Sequence, residues 1–223
     1  MGVYQWACWT RRLAAHDAKE SHDADFNYCR RRLIRWFFLR KAHVYFPNAI
    51  YHHFEPRVDA ARDVKALSQQ LGTYSTIYNM ALADFVGTAP FAVMDYGDAS
   101  SLLVTTKGVA AGVNVLKEVQ VSVDILDMVV ERNQLGQIGL LKIDVEGFER
   151  SVLRGARKTL AQQVSNIIIE ITPPRHAEGP RETLHVFEML FEAGFTLIDT
   201  YSNDYLLSKD PGLLACYSAN GTV

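Results

Sequence analysis

The stretch GLLKIDVEGFERSVLRGARKTL, residues 139–160, joins an apolar run to a helical pattern through Asp-Val-Glu-Gly. The run before Asp144 has the near-continuous apolar character of a buried parallel strand. After Gly147, the positions Phe148, Val152, Leu153, Ala156 and Leu160 fall on one helical face, which predicts a single helix. A strand that closes on a carboxylate, turns on glycine and feeds a helix is one way to build a ligand site. The alternative is that the acid only complements the dipole of the next helix.

Working outward, the same alternation recurs. NAIYHHFEP reads as a short strand stopped by Pro56. PRVDAARDVKALSQQLG reads as a helix with Val58, Ala61, Val64, Ala66 and Leu67 on one side and Gly72 at its end. STIYNMALA and GTAPFAVMDYGDASSLLV are strand-like, and VQVSVDILDMVVERNQLG opens extended and continues as a helix. VSNIIIEIT is a second buried strand. RETLHVFEMLFEAGF is a helix ending at Gly194, and FTLIDTY is a strand. This order predicts an α/β fold with a mostly parallel central sheet, helices on both faces and right-handed crossovers. Ligands bind such sheets beyond the strand carboxyl ends, where Glu55, Asn79, Asp144 and Glu170 stand. Lys142 is either a partner for a carboxylate or a solvated edge lysine.

The chain has 223 residues, 48% of them hydrophobic, and a formal net charge of -2. That is enough for one sizeable core and gives no global attraction to nucleic acid. Cys8, Cys29 and Cys216 form no CxxC pair, so neither a disulfide framework nor a zinc site is expected and a reducing cytoplasm fits. No apolar run approaches the ~18 residues of a transmembrane segment. The opening MGVYQWACWTRRL lacks the order of a signal peptide. No His/Asp/Glu spacing demands a metal.

IYHHFEP, NMALADFVGTAPFAV with DASSL, VSVDILDMV with Asp127, LLKIDVEGFERSVLRGA, NIIIEI and FEAGF together resemble the FkbM-type family of S-adenosylmethionine-dependent methyltransferases. The resemblance covers about residues 47–200 and implies a Rossmann-like class I methyltransferase fold. It implies S-adenosylmethionine as cofactor and a hydroxyl of a sugar, glycan or polyketide-like product as acceptor. By the same resemblance, Glu55 would take the ribose diol, while Asn79 and Asp84 lie on the adenine side. Ser100 and Ser101 match small polar residues near the cofactor. Asp144 would stand beside the methionine part, and Glu146 and Gly147 would form the turn into the helix. His176, in TPPRHAEGP, stands on the expected acceptor rim, either as a proton acceptor for the hydroxyl or as a plain loop histidine.

The family's glycine-rich turn, Asp-Val-Gly-Ala-Asn-x-Gly, has no clear counterpart, because no glycine occurs between Gly2 and Gly72. DADFNYC keeps Asp23 and Asn27 at family spacing, with Asp25 and Cys29 where glycines should be. The segment after it, CRRRLIRWFFLRKAHVYFP, admits three readings. It is the first helix of the fold, or a basic amphipathic surface for anionic lipid or acidic partners, or part of a segment foreign to the family through a frame or start change. A helix is expected around 30–46, with Leu33, Ile34, Phe37, Phe38 and Tyr45 as its stripe. An atypical segment, 1–45, would thus precede a methyltransferase domain, 46–223. Two functions remain in view: an enzyme methylating a small-molecule or glycan acceptor, or a non-catalytic member retained as a binding module. An open strand edge would make association with another copy possible.

Overall fold

The computed structural model describes residues 38–94, 102, 115–171 and 180–219. A helix over 38–45 (α1) buries Leu39 and Ala42, three residues apart on one side. Tyr45, assigned to the apolar stripe from sequence, is 44% exposed. Leu33, Ile34 and Phe37 lie outside the described residues.

The chain continues through β1 (Ile50–Phe54), α2 (Val58–Leu71), β2 (Tyr74–Tyr78), β3 (Ala81–Leu82), β4 (Gly87–Met94) and β5 (Val115–Asp124). It then forms α3 (Leu126–Arg132), β6 (Leu141–Ile143), α4 (Glu149–Arg154), α5 (Arg157–Gln162) and β7 (Asn166–Glu170). Last come α6 (Pro180–Glu192), β8 (Thr196–Tyr201), β9 (Asp204–Ser208) and α7 (Pro211–Ala219). In α2 the buried face is Ala61, Leu67 and Ser68, while Val58 is 54% exposed and Ala66 is exposed too. Gly72 ends the helix at φ 68°, a conformation that an L side chain adopts at a cost.

The fold is α/β as expected, and the described residues form three small sheets, two of them of mixed direction, rather than one mostly parallel sheet. β1 and β2 pair in parallel; β3, β5 and β4 lie in that order; and β6, β7, β9 and β8 form a four-stranded sheet. The ladders β3–β5 and β6–β7 are parallel, whereas β4–β5, β7–β9 and β8–β9 are antiparallel. The departure has a local cause. β8 returns through a two-residue link at Ser202 and Asn203, with Ser202 at φ 55°. A left-handed residue in so short a link matches the twist of an antiparallel hairpin. β9 then inserts between β7 and β8. β4 carries Pro90, tolerated because this strand is the outer member of its sheet.

Residues 149–162 form two helices rather than the single one expected. The break is at Gly155 and Ala156, where the chain passes the β3 corner. Asp127, from the first turn of α3, caps the second helix: its carboxylate accepts the N–H of Lys158 at 3.0 Å and of Thr159 at 2.8 Å. Those are helix-start amides that otherwise lack partners. At the other end, Lys209 Nζ donates to the carbonyls of Leu160 and Ala161. An anion at the start and a cation at the end suit the helix dipole.

The main core joins the four-stranded sheet to α4, α5 and α6 through Leu153, Leu160, Ile167, Ile169, Val186 and Leu190. Phe54 and Leu82, at the ends of β1 and β3, pack against this same core. A second core under β3, β4 and β5 contains Phe91, Val121 and Val123, with Phe148 packed against it. The two cores flank the turn that leads from β6 into α4.

Candidate active site at the strand ends

Parallel strands end on polar side chains here: Glu55 follows β1, Asn79 follows β2, Asp144 follows β6, and Glu170 is the last residue of β7. The first two meet. Glu55 N–H donates to the Tyr78 carbonyl at 3.0 Å, extending the β1–β2 ladder by one rung. Asn79 Nδ2 then donates to the carbonyls of Glu55 at 2.9 Å and Pro56 at 3.0 Å. The Glu55 carboxylate curls back on its own turn, where Oε1 accepts the Arg57 N–H at 3.0 Å. Under this turn the Phe54 and Tyr78 rings stack at 4.7 Å.

His52 and His53 flank the turn without joining it. His52 Nδ1 lies 3.3 Å from Tyr78 Oη, and His53 Nε2 lies 3.4 Å from Ser75 Oγ. Burial, and then the neighbouring His52, push the His53 imidazole down to about 4. Burial lowers His52 as well.

At the β6 end, Asp144 is exposed. The chain then turns through Glu146 at φ 54° and Gly147 at φ 98°. Two consecutive left-handed residues are what the Glu-Gly pair supplies, at a steric cost for Glu146. Gly147 N–H points at Glu149 Oε1, 2.8 Å away, and Glu149 is 1% exposed.

Lys142 is engaged rather than solvated: Nζ is 2.6 Å from Asp204 Oδ1 and 3.8 Å from Glu170 Oε2. Asp204 faces Glu170 in the β7–β9 register. Burial, followed by the charge of Asp144, raises the Glu170 carboxyl above its ordinary range, against the pull of the Lys142 ammonium. Sequence reading missed Asp204 because β9 was not recognised; the polar Ser202-Asn203 link was the available signal.

Asp84 sits against α4. Its Oδ1 accepts from Ser151 Oγ at 2.5 Å and its Oδ2 lies 3.1 Å from Arg154 Nε. Ser100, Ser101 and His176 lie outside the described residues, as do Asp23, Asp25, Asn27 and Cys29. Among the described residues no group of His, Cys, Asp and Glu is arranged to hold a metal ion, and no helix is long and apolar enough to cross a membrane.

Where a nucleoside-bearing cofactor is concerned, the β1 turn has suitable chemistry. A half-buried carboxylate on a clamped turn at a strand end offers two oxygen acceptors, one of which takes the Arg57 N–H.

No curated protein matches the chain. A crystal structure of methyltransferase FkbM from Methylobacillus flagellatus KT is similar to it, with TM-score 0.44 and 10% identity over 70% of this chain. The chain spans 36% of that protein's length. The model of the methyltransferase FkbM domain matches residues 22–197. With the match running from DADFNYC through the end of α6 and into β8, the chain belongs to the FkbM methyltransferase family.

Proposed function

We propose that the chain is an S-adenosylmethionine-dependent O-methyltransferase acting on a hydroxyl of a sugar, glycan or polyketide-like product in the cytoplasm. The observation that carries this reading is the Glu55 carboxylate at the end of β1, which accepts the Arg57 N–H of its own turn while Asn79 ties down the turn's backbone carbonyls. A carboxylate so placed takes two hydroxyl donors at once, as a ribose diol offers. When bound, the cofactor supplies a sulfonium methyl group open to in-line displacement by an oxygen.

The chain's own residues then have distinct tasks. Glu55 holds the ribose, and Asp84, Ser100, Glu146 and Gly147 line the cofactor's path. Asp144 orients either the cofactor's amino group or the acceptor hydroxyl. The proton released by that hydroxyl passes to Asp144 or His176. Glu170, raised above the ordinary carboxyl range, is a third acceptor on the same rim, and a raised carboxyl is the better base near neutral pH.

The pairs β1–β2 and β6–β7 are each parallel, and each strand closes on or beside a polar residue, as strands of a doubly wound sheet do. That arrangement supports a Rossmann-like domain over 46–223 behind an atypical 1–45 segment. Calorimetric titration with S-adenosylmethionine tests the cofactor reading. Glu55→Ala should weaken binding about 5- to 150-fold, or about 1–3 kcal/mol, with the melting temperature little changed.

A second reading, a non-catalytic member of the family, is favoured by one observation: the glycine-free sequence between Gly2 and Gly72. Absence of heat and of thermal stabilisation at millimolar cofactor would select it.

A further inference from the structure

The polar end of β2 contributes a side chain whose geometry is spent on the neighbouring strand. Asn79 has one amide nitrogen with two hydrogens. Both are committed to backbone carbonyls of the β1 turn, that of Glu55 at 2.9 Å and that of Pro56 at 3.0 Å.

The reason lies in the ladder. Glu55 N–H to the Tyr78 carbonyl is a further rung of the parallel β1–β2 pair. The following rung would need a backbone donor for the Glu55 carbonyl, but beyond Asn79 the chain leaves β2 for β3, which pairs with β5 instead. The Asn79 amide stands in for the missing rung. Pro56 carries no N–H of its own, so it cannot tie this turn down as a donor. With its two carbonyls clamped, the turn presents the Arg57 N–H to Glu55 Oε1 at 3.0 Å. The carboxylate is thereby fixed through a short covalent and hydrogen-bonded loop.

We infer that Asn79 is a positioning residue for Glu55: it sets the β1 turn so that the Glu55 carboxylate is pre-aimed at vicinal hydroxyls of a nucleoside ligand. This rests on the cofactor reading of the site and deepens it. The assignment moves Asn79 from direct contact with the adenine to control of the ribose. Aspartate in its place offers no donors to the two carbonyls and adds a second carboxylate beside Glu55. Asparagine and aspartate therefore differ sharply here despite equal size.

The test is a double-mutant cycle on the full chain, with S-adenosylhomocysteine as the calorimetric probe and its 2′-deoxy analogue as control. Asn79→Ala should weaken binding of the parent probe about 5- to 20-fold, and Asn79→Asp more. Both should narrow the gap between the parent probe and the 2′-deoxy analogue. In a Glu55→Ala background Asn79→Ala should add less than twofold, because the group it positions is gone. Amide exchange at Arg57 N–H should be faster in Asn79→Ala without any ligand present. If Asn79→Ala weakens both probes equally, or its effect multiplies with that of Glu55→Ala, Asn79 is only a packing element and the inference falls alone. If the parent chain binds neither probe, the cofactor reading fails and takes the inference with it. Unchanged exchange at Arg57 would refute the clamp itself.

Discussion

Gly155 lies so close to the Ala83 carbonyl that a Cβ built on it would stand 1.9 Å from that oxygen. The neighbouring atom is backbone, so it has no side chain to swing away. Gly155 also passes its own carbonyl to the Asp127 N–H at 3.0 Å. One glycine therefore joins three places, the β3 corner, the α4–α5 break and the start of α3. Gly155→Ala should destabilise the fold by about 3 kcal/mol or more, because overpacking here displaces main chain. Urea unfolding checks this; a loss below about 1 kcal/mol would contradict the packing account.

Asp127 belongs to the same junction by a different bond type. Its two carboxylate oxygens cap the Lys158 and Thr159 amides. Asp127→Ala should cost about 1–2 kcal/mol, the usual range for losing a helix cap. Asp127→Asn should recover much of that loss, since its carbonyl oxygen still caps one amide. Cofactor affinity should stay within twofold of the parent in both variants. A loss of affinity without loss of stability would mean that this aspartate serves the ligand directly.

The half-buried His53 on β1 gives a pH dependence with a definite sign. His53 is pushed down to about 4 from an ordinary value of 6.5. The unfolded chain therefore takes up a proton at this position before the folded chain does. Above pH 6.5 both states are neutral there and the full stability is present. As pH falls from 6.5 toward 4, stability is lost, on the order of 1–3 kcal/mol from this group. His53→Gln should flatten the stability profile between pH 6.5 and 4. An unaltered slope in the variant would show that His53 stays protonatable in the native state.

Much of this fold was legible where the local pattern and the tertiary demand agree. Ala61, Leu67 and Gly72 behave as the helical period and the helix-stop signal require. The apolar run ending at Glu170 is a buried strand. The failures have physical causes too. The apolar period from Phe148 to Leu160 runs unbroken, but the close approach of Gly155 to Ala83 splits the helix, and no local pattern records a contact about seventy residues away in sequence. β9 escaped notice because its link to β8 contains no glycine. In the candidate site, the residue types at the strand ends could be read from order alone. Their pairings could not, because Asn79 with Glu55 and Lys142 with Asp204 are set by strand neighbours.

Between Gly2 and Gly72 the sequence departs from the family's glycine-rich pattern. The family match begins at residue 22 and so includes DADFNYC. Aligned with the pattern Asp-Val-Gly-Ala-Asn-x-Gly on Asp23 and Asn27, the segment has Asp25 and Cys29 in place of the glycines, and both lie outside the described residues. Glycine at such positions allows positive φ and lets the backbone approach a ligand closely. If DADFNYC forms the cofactor turn, a carboxylate at the first position would also add negative charge near a cofactor whose methionine end carries a carboxylate of its own. Like charges at close range oppose binding. The Asp25→Gly, Cys29→Gly double variant should therefore bind S-adenosylmethionine about tenfold more tightly, about 1.4 kcal/mol. Most of the gain should come from Asp25→Gly, and it should shrink at high salt, where screening already weakens the repulsion. Titration of the parent, both single variants and the double variant at two ionic strengths measures all three effects. Equal affinities across the four chains would show that this segment does not face the cofactor. The missing glycines would then say nothing about activity.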